Sequence, residues 1–121
     1  MANDLPSIAL VDDDPAVLRA LSRLLRSHAF RVHTYGSAQE FLASLAGGLP
    51  DCLIVDLQMP VMNGRELQRQ LVRNSFNIPT IMITAHREAG LHQEDAGLVD
   101  FLLKPLQENT LLDAINRAID V

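Results

Sequence analysis

The sequence predicts an α/β fold, a five-stranded parallel sheet with helices on both faces. Three observations predict it. Short apolar runs alternate with amphipathic stretches along the whole chain. Runs such as Leu53-Ile54-Val55 and Ile81-Met82-Ile83 are apolar at every position, the pattern of strands covered on both sides. Four runs end on a polar residue: Ser7–Val11 on Asp12-Asp13, residues 52–55 on Asp56, residues 81–83 on Thr84, and residues 101–103 on Lys104. Parallel strands would bring those ends to one edge, where open α/β sheets bind ligands.

Strand one covers residues 8–11, and helix one about 15–27. Val17, Leu18, Leu21, Leu24 and Leu25 recur at helical spacing, with Arg19, Arg23 and Arg26 facing outward. Asp14 is placed to cap this helix, and Pro15 takes the favoured first position. Residues 30–35 alternate apolar and polar as far as His33, which suits a strand near a sheet edge. Ser37-Ala38-Gln39-Glu40 reads as a capping box for a short helix with Phe41, Leu42 and Leu45 inward, ended by Gly47-Gly48. Strand three follows at 52–55, then a helix over about 64–73 with Leu67 and Leu71 inward. Strand four is 80–83, after Pro79, and strand five about 99–103. Asn109 is expected to cap a last helix striped by Leu111, Leu112, Ile115 and Ile119. No repeat, linker or composition shift interrupts the pattern, so residues 1–121 are read as one domain.

Composition narrows the function classes. Apolar content of 48% and charged content of 21% suit a globular protein with a real core. No apolar stretch approaches a membrane span, and the start of the chain lacks a signal-peptide pattern, so a cytoplasmic location without membrane partners is expected. The single cysteine, Cys52, opens an apolar run and reads as core filler. A net charge of −5 argues against direct nucleic-acid contact by this domain. The four histidines have no zinc-ligand spacing. Lys104 is the sole lysine, beside nine arginines.

Three carboxylates gathered at one edge repel one another unless a cation fills the space. Hard oxygen ligands suit Mg2+, which takes one or two carboxylates, keeps several waters and often shares a phosphate. Taken singly, Asp12 to Asp14 could only begin a loop, Asp56 and Thr84 could be turn residues, and Lys104 could be solvated. Their coincidence at matching strand ends favours a site.

At these residues the chain resembles the response-regulator receiver domain of two-component signalling, over its whole length. Val11-Asp12-Asp13-Asp14 resembles the acid pocket. Asp56-Leu57-Gln58-Met59-Pro60 with Asn63-Gly64 resembles the phosphoacceptor motif and its turn. Thr84-Ala85, Phe101 and Lys104-Pro105 resemble the switch hydroxyl and small neighbour, the switch aromatic, and the lysine-proline pair. Residues 37–42 and Val99-Asp100-Phe101 look most like FixJ-type transcription regulators.

The resemblance implies a flavodoxin-like receiver fold of strand order 2-1-3-4-5. It also implies roles. Asp56 would take a phosphoryl group from a sensor histidine kinase or phosphotransfer protein. Asp13 and Asp56, with the backbone carbonyl of Gln58 and Asp12 through water, would hold Mg2+. Lys104 would pair with the phosphate, and Thr84 would donate its hydroxyl to it. Ala85 would leave room above the site, Phe101 would rotate as Thr84 moves, and Pro105 would follow a cis bond that aims Lys104. The output would be a changed surface, read by a fused effector domain or a second copy, with transcription as the controlled process. The chain would be a phosphoacceptor, catalysing only its own phosphoryl transfer and dephosphorylation.

One departure stands out. The stretch from Thr84 to Lys104 is about two residues shorter than is usual for the family. Residues 86–97 are poor in apolar side chains and include Gly90, which disfavours helix by about 1 kcal/mol against alanine. The fourth of five expected helices should therefore be short or irregular. Leu106 also stands where the family often has phenylalanine. Two other classes compete. A magnesium-dependent phosphohydrolase of haloacid-dehalogenase type wants an acid two residues after its nucleophile, where this chain has Gln58. A receiver-like interaction module that is never phosphorylated would not need the full set of Asp12, Asp13, Asp56, Thr84 and Lys104.

Overall fold

A computed structural model describes residues 5–85 and 97–120. Five parallel strands form one sheet: β1 (Ser7–Val11), β2 (Arg31–Tyr35), β3 (Cys52–Asp56), β4 (Thr80–Thr84) and β5 (Leu98–Leu103). Their order is β2-β1-β3-β4-β5, as expected. The described helices are α1 (Pro15–Ser27), α2 (Ala38–Ser44), α3 (Gly64–Arg73) and α4 (Glu108–Ile119), with a short 3-10 turn at Leu45–Gly47. The expected short helix within residues 86–96 lies outside the described residues.

The sheet divides the core in two. Alternate side chains of a strand point to opposite faces. Ile8 and Leu10 of β1, Cys52 and Ile54 of β3, and Ile81 and Ile83 of β4 join Leu25 of α1 and Leu111, Ala114, Ile115 and Ala118 of α4. Ala9, Val11, Leu53, Val55 and Met82 face the other way, against Phe41 of α2 and Leu67 and Leu71 of α3. The central strands β3 and β4 are buried at every position, which explains their unbroken apolar runs. β2 lies at an edge and alternates exposed and buried from Arg31 to His33, as far as the sequence alternates.

Local chemistry sets the helix ends. The Asp14 side chain accepts the Ala16 N–H at 2.9 Å and Pro15 begins α1, as predicted. Ser37 accepts the Glu40 N–H at 3.1 Å, but the Glu40 carboxylate reaches back to the Gly36 N–H, one residue short of a closed box. The reciprocal box sits instead on α3. Asn63 accepts the Glu66 N–H at 2.8 Å, while Glu66 accepts the Asn63 N–H at 2.9 Å. The last helix departs from expectation. Gln107 is its N-cap and makes no side-chain capping bond, so Asn109 lies inside the first turn. A glutamate at the start of α4 complements the helix dipole there, and Glu108 also lies 3.0 Å from His28.

Candidate functional site: an acid pocket at the strand ends

Strand register alone assembles the site. Val11 pairs with Val55, which sets Asp12 and Asp56 side by side as the next residues of β1 and β3. Asp56 pairs with Ile83, placing Thr84 one step beyond it on β4. Thr84 pairs with Leu103, so Lys104 follows one step beyond on the β5 side. Backbone bonds hold the ends in place, from the Asp12 N–H to the Tyr35 carbonyl (3.1 Å) and from the Lys104 N–H to the Thr84 carbonyl (2.8 Å). Alternation gives Asp12, Asp56 and Lys104 the facing of Ile54 and Leu102, and gives Thr84 and Phe101 the facing of Met82.

Carboxylate oxygens of Asp12, Asp13 and Asp56 all lie within 4.8 Å of one another. Asp12 and Asp56 are buried at 4% and 7% exposure, whereas Asp13 faces solvent. The Lys104 ammonium lies 3.6 Å from Asp12 and 3.5 Å from Asp56, so one positive charge stands against three negative ones. At those separations it acts as an ion-pair partner more than as a short hydrogen-bond donor. Burial pushes the Asp12 carboxyl above its ordinary pKa, and the Asp56 and Asp13 charges add to the rise. The Asp14 backbone N–H, 2.9 Å from Asp12 Oδ1, and the Lys104 charge oppose it. An uncompensated excess of carboxylate in a partly desolvated pocket, with one solvent-facing acid at its mouth, is a donor set that fits a hard divalent cation.

The loop after Asp56 is shaped by close packing. A side chain added at Gly64 would come within 2.7 Å of the Asp56 carbonyl and 2.8 Å of the Met82 sulfur, so only glycine fits there. The Gly64 N–H donates to the Leu57 carbonyl at 2.9 Å, which ties the start of α3 to the end of β3. The Gln58 N–H lies 3.3 Å from Asp56 Oδ1, and the Gln58 side chain is exposed. Val61 sits in the left-handed region at φ 70°, an uncommon place for a β-branched residue, and is 88% exposed.

Each remaining residue singled out in the sequence has a definite place. Thr84 is fully buried, and Ala85 beside it is exposed. Phe101 is half-buried against the α2–α3 side of the core. The Lys104–Pro105 peptide bond is cis. Two features escaped sequence reading. The Asn63–Glu66 box had its signal in Asn63-Gly64-Arg65-Glu66. The ion pair between Arg117 of α4 and Asp100 of β5 had none, because it joins positions brought together only by tertiary packing.

Comparison with known proteins decides the family. The family model for the response regulator receiver domain matches residues 8–116. The chain belongs to this family. It is 42% identical over 120 residues to the response regulator protein TmoT of Ectopseudomonas mendocina, covering 97% of this chain and 54% of that one. It is 38% identical to the transcriptional regulatory protein FixJ of Rhizobium meliloti over 93% of this chain and 56% of FixJ. Among solved structures, the crystal structure of FixJ-N superimposes with a TM-score of 0.86 at 37% identity, covering 95% of this chain and 94% of that one. The response regulator StyR gives 0.86 at 39% identity, covering 96% of this chain and 60% of that one. This receiver therefore spans about half the length of the curated relatives it matches. None of the described helices is long and apolar enough to cross a membrane.

Proposed function

We propose that this receiver, residues 1–121 acting as one domain, takes a phosphoryl group onto Asp56 from the phosphohistidine of a partner kinase or phosphotransfer protein. The observation that carries the reading is the burial of Asp56 at the end of a central strand, between Asp12 and Lys104 and inside a three-carboxylate pocket. An Asp56 carboxylate oxygen attacks phosphorus, the P–N bond breaks, and the histidine leaves with the bonding pair. A carboxylate nucleophile, unlike a hydroxyl, has no proton to lose as the bond forms, so this step calls on no general base.

Asp13 and Asp56, the Gln58 carbonyl, and Asp12 through water would hold Mg2+. When bound, the ion would neutralise charge on the phosphoryl oxygens. Lys104 pairs with the phosphate as a compact point charge. The Thr84 hydroxyl turns toward the new phosphate oxygens, Ala85 leaves room for them, and Phe101 takes up the space Thr84 gives back. Pro105 directs the strand end that carries Lys104. The added charge shifts the population between two arrangements of the β4–β5–α4 side. An effector domain or a second copy reads that surface in the cytoplasm, with transcription as the controlled process. The domain turns over nothing but its own phosphoryl group and makes no nucleic-acid or membrane contact itself.

The test is incubation with Mg2+ and a small phosphodonor, followed by peptide mapping. A phosphoryl mass on Asp56 that disappears in Asp56→Asn is the expected result. A chain that gains no mass, and whose Mg2+ affinity is untouched by Asp13→Ala, would instead be an interaction module of receiver shape.

A further inference from the structure

A second surface stands apart from the acid pocket. A groove of about 500 Å³ runs between α1 and the edge strand β2, lined by Leu18, Arg19, Ser22, Arg23, Arg26 and Thr34. None of the acid-pocket residues lines it. Its three arginines gather in a domain whose net charge is −5. Arg19 and Arg23 have no carboxylate partner among the described residues. Arg26 is held in place by its bond to the Val32 carbonyl at 2.9 Å, which removes part of the rotamer entropy a ligand would otherwise have to overcome.

We infer that this groove docks an acidic segment of a partner protein. The arginines occupy positions i, i+4 and i+7 of α1, so they spread over about 10 Å of helix axis instead of converging on one point. That spacing suits several carboxylates in a row more than a single small anion. The same length is far short of a duplex footprint. Leu18 and the arginine stems give the groove an apolar floor, which fits apolar side chains set between the acids. Planar guanidinium groups pair with carboxylates in two-pronged fashion, giving the surface orientation as well as charge.

The test uses the whole chain and a fluorescein-labelled peptide with glutamates at helical i, i+4 and i+7 spacing, followed by anisotropy. Binding at low salt that weakens as salt rises is expected. Arg19→Glu/Arg23→Glu should weaken it about tenfold or more, while Arg19→Lys/Arg23→Lys keeps most of it. Arg69→Glu, on exposed α3 surface, should leave it unchanged. Thermal melting of each variant confirms folding. Four results would overturn the inference: no binding at low salt, an equal loss in Arg69→Glu, tighter binding of a short DNA duplex than of the peptide, or displacement of the peptide by inorganic phosphate at matched charge. Phosphorylation of Asp56 plays no part in this assay, so its outcome is separate from that of the phosphoacceptor reading.

Discussion

Asp12 shows how burying a single carboxyl makes stability depend on pH. Its carboxyl has a raised pKa in the folded chain, chiefly because burial disfavours the charged form. The folded state therefore holds its proton to higher pH than the unfolded state does. Stability contributed by this group is lost as pH rises from the ordinary carboxylate range through the raised folded value. Asp12→Asn removes the charge yet can keep the bond to the Asp14 N–H, so without Mg2+ it should melt higher than the parent at neutral pH. That advantage should shrink as pH falls toward the ordinary carboxylate range. Melting curves across pH check this, and equal melting temperatures at pH 7 would count against charge crowding in the pocket. Asp12, Asp56 and Lys104 were legible in the sequence because each directly follows or ends an apolar run. Thr84 was legible for the same reason. What the chain does not reveal linearly is that Lys104 reaches both Asp12 and Asp56, since that depends on three successive strand registers.

At the level of elements, the link from β3 to α3 is the tightest joint near the site. Gly64 lies against the Asp56 carbonyl and Met82, leaving no room for a Cβ. Gly64→Ala should destabilise the fold by about 1–3 kcal/mol through overpacking, and should also displace Asp56 enough to slow phosphoryl uptake. Denaturant unfolding and a timed phosphorylation assay would measure both effects, and an unchanged midpoint would show that the joint yields. Element limits were read well where caps are local, as at Asp14-Pro15. They were read poorly at α4, where Asn109 offered a better cap by residue type than Gln107. The first turn closes two residues earlier than that cap would place it, where the Leu111 N–H bonds the Gln107 carbonyl at 3.0 Å without a side-chain cap.

For the whole molecule, Cys52 reports on the integrity of the sheet. It is fully buried in β3, and desolvation, with help from the Asp51 charge, pushes its thiol pKa up to about 12. A thiol reagent should therefore label native protein only as fast as the chain opens, and should label denatured protein at once. Labelling that outpaces unfolding would reveal a separate local opening of β3. The sheet order and the two-sided core were legible from unbroken apolar runs in β3 and β4 and from alternation in β2. The Arg117–Asp100 pair and the groove along α1 were not, since each joins positions far apart in sequence or belongs to surface shape.

The division of the core between two faces of one sheet has a consequence for how such a chain can diverge. Substitutions can accumulate independently on either side, because Ile54 and Val55 answer to different neighbours. A deletion of one residue within β3 is another matter. It would exchange the facing of every position on one side of the lesion, turning core residues to the wrong helices, and would carry Asp56 out of step with Asp12 and Thr84. Lineages descending from this chain should therefore vary freely in strand composition while keeping strand length, with gains and losses confined to the loops.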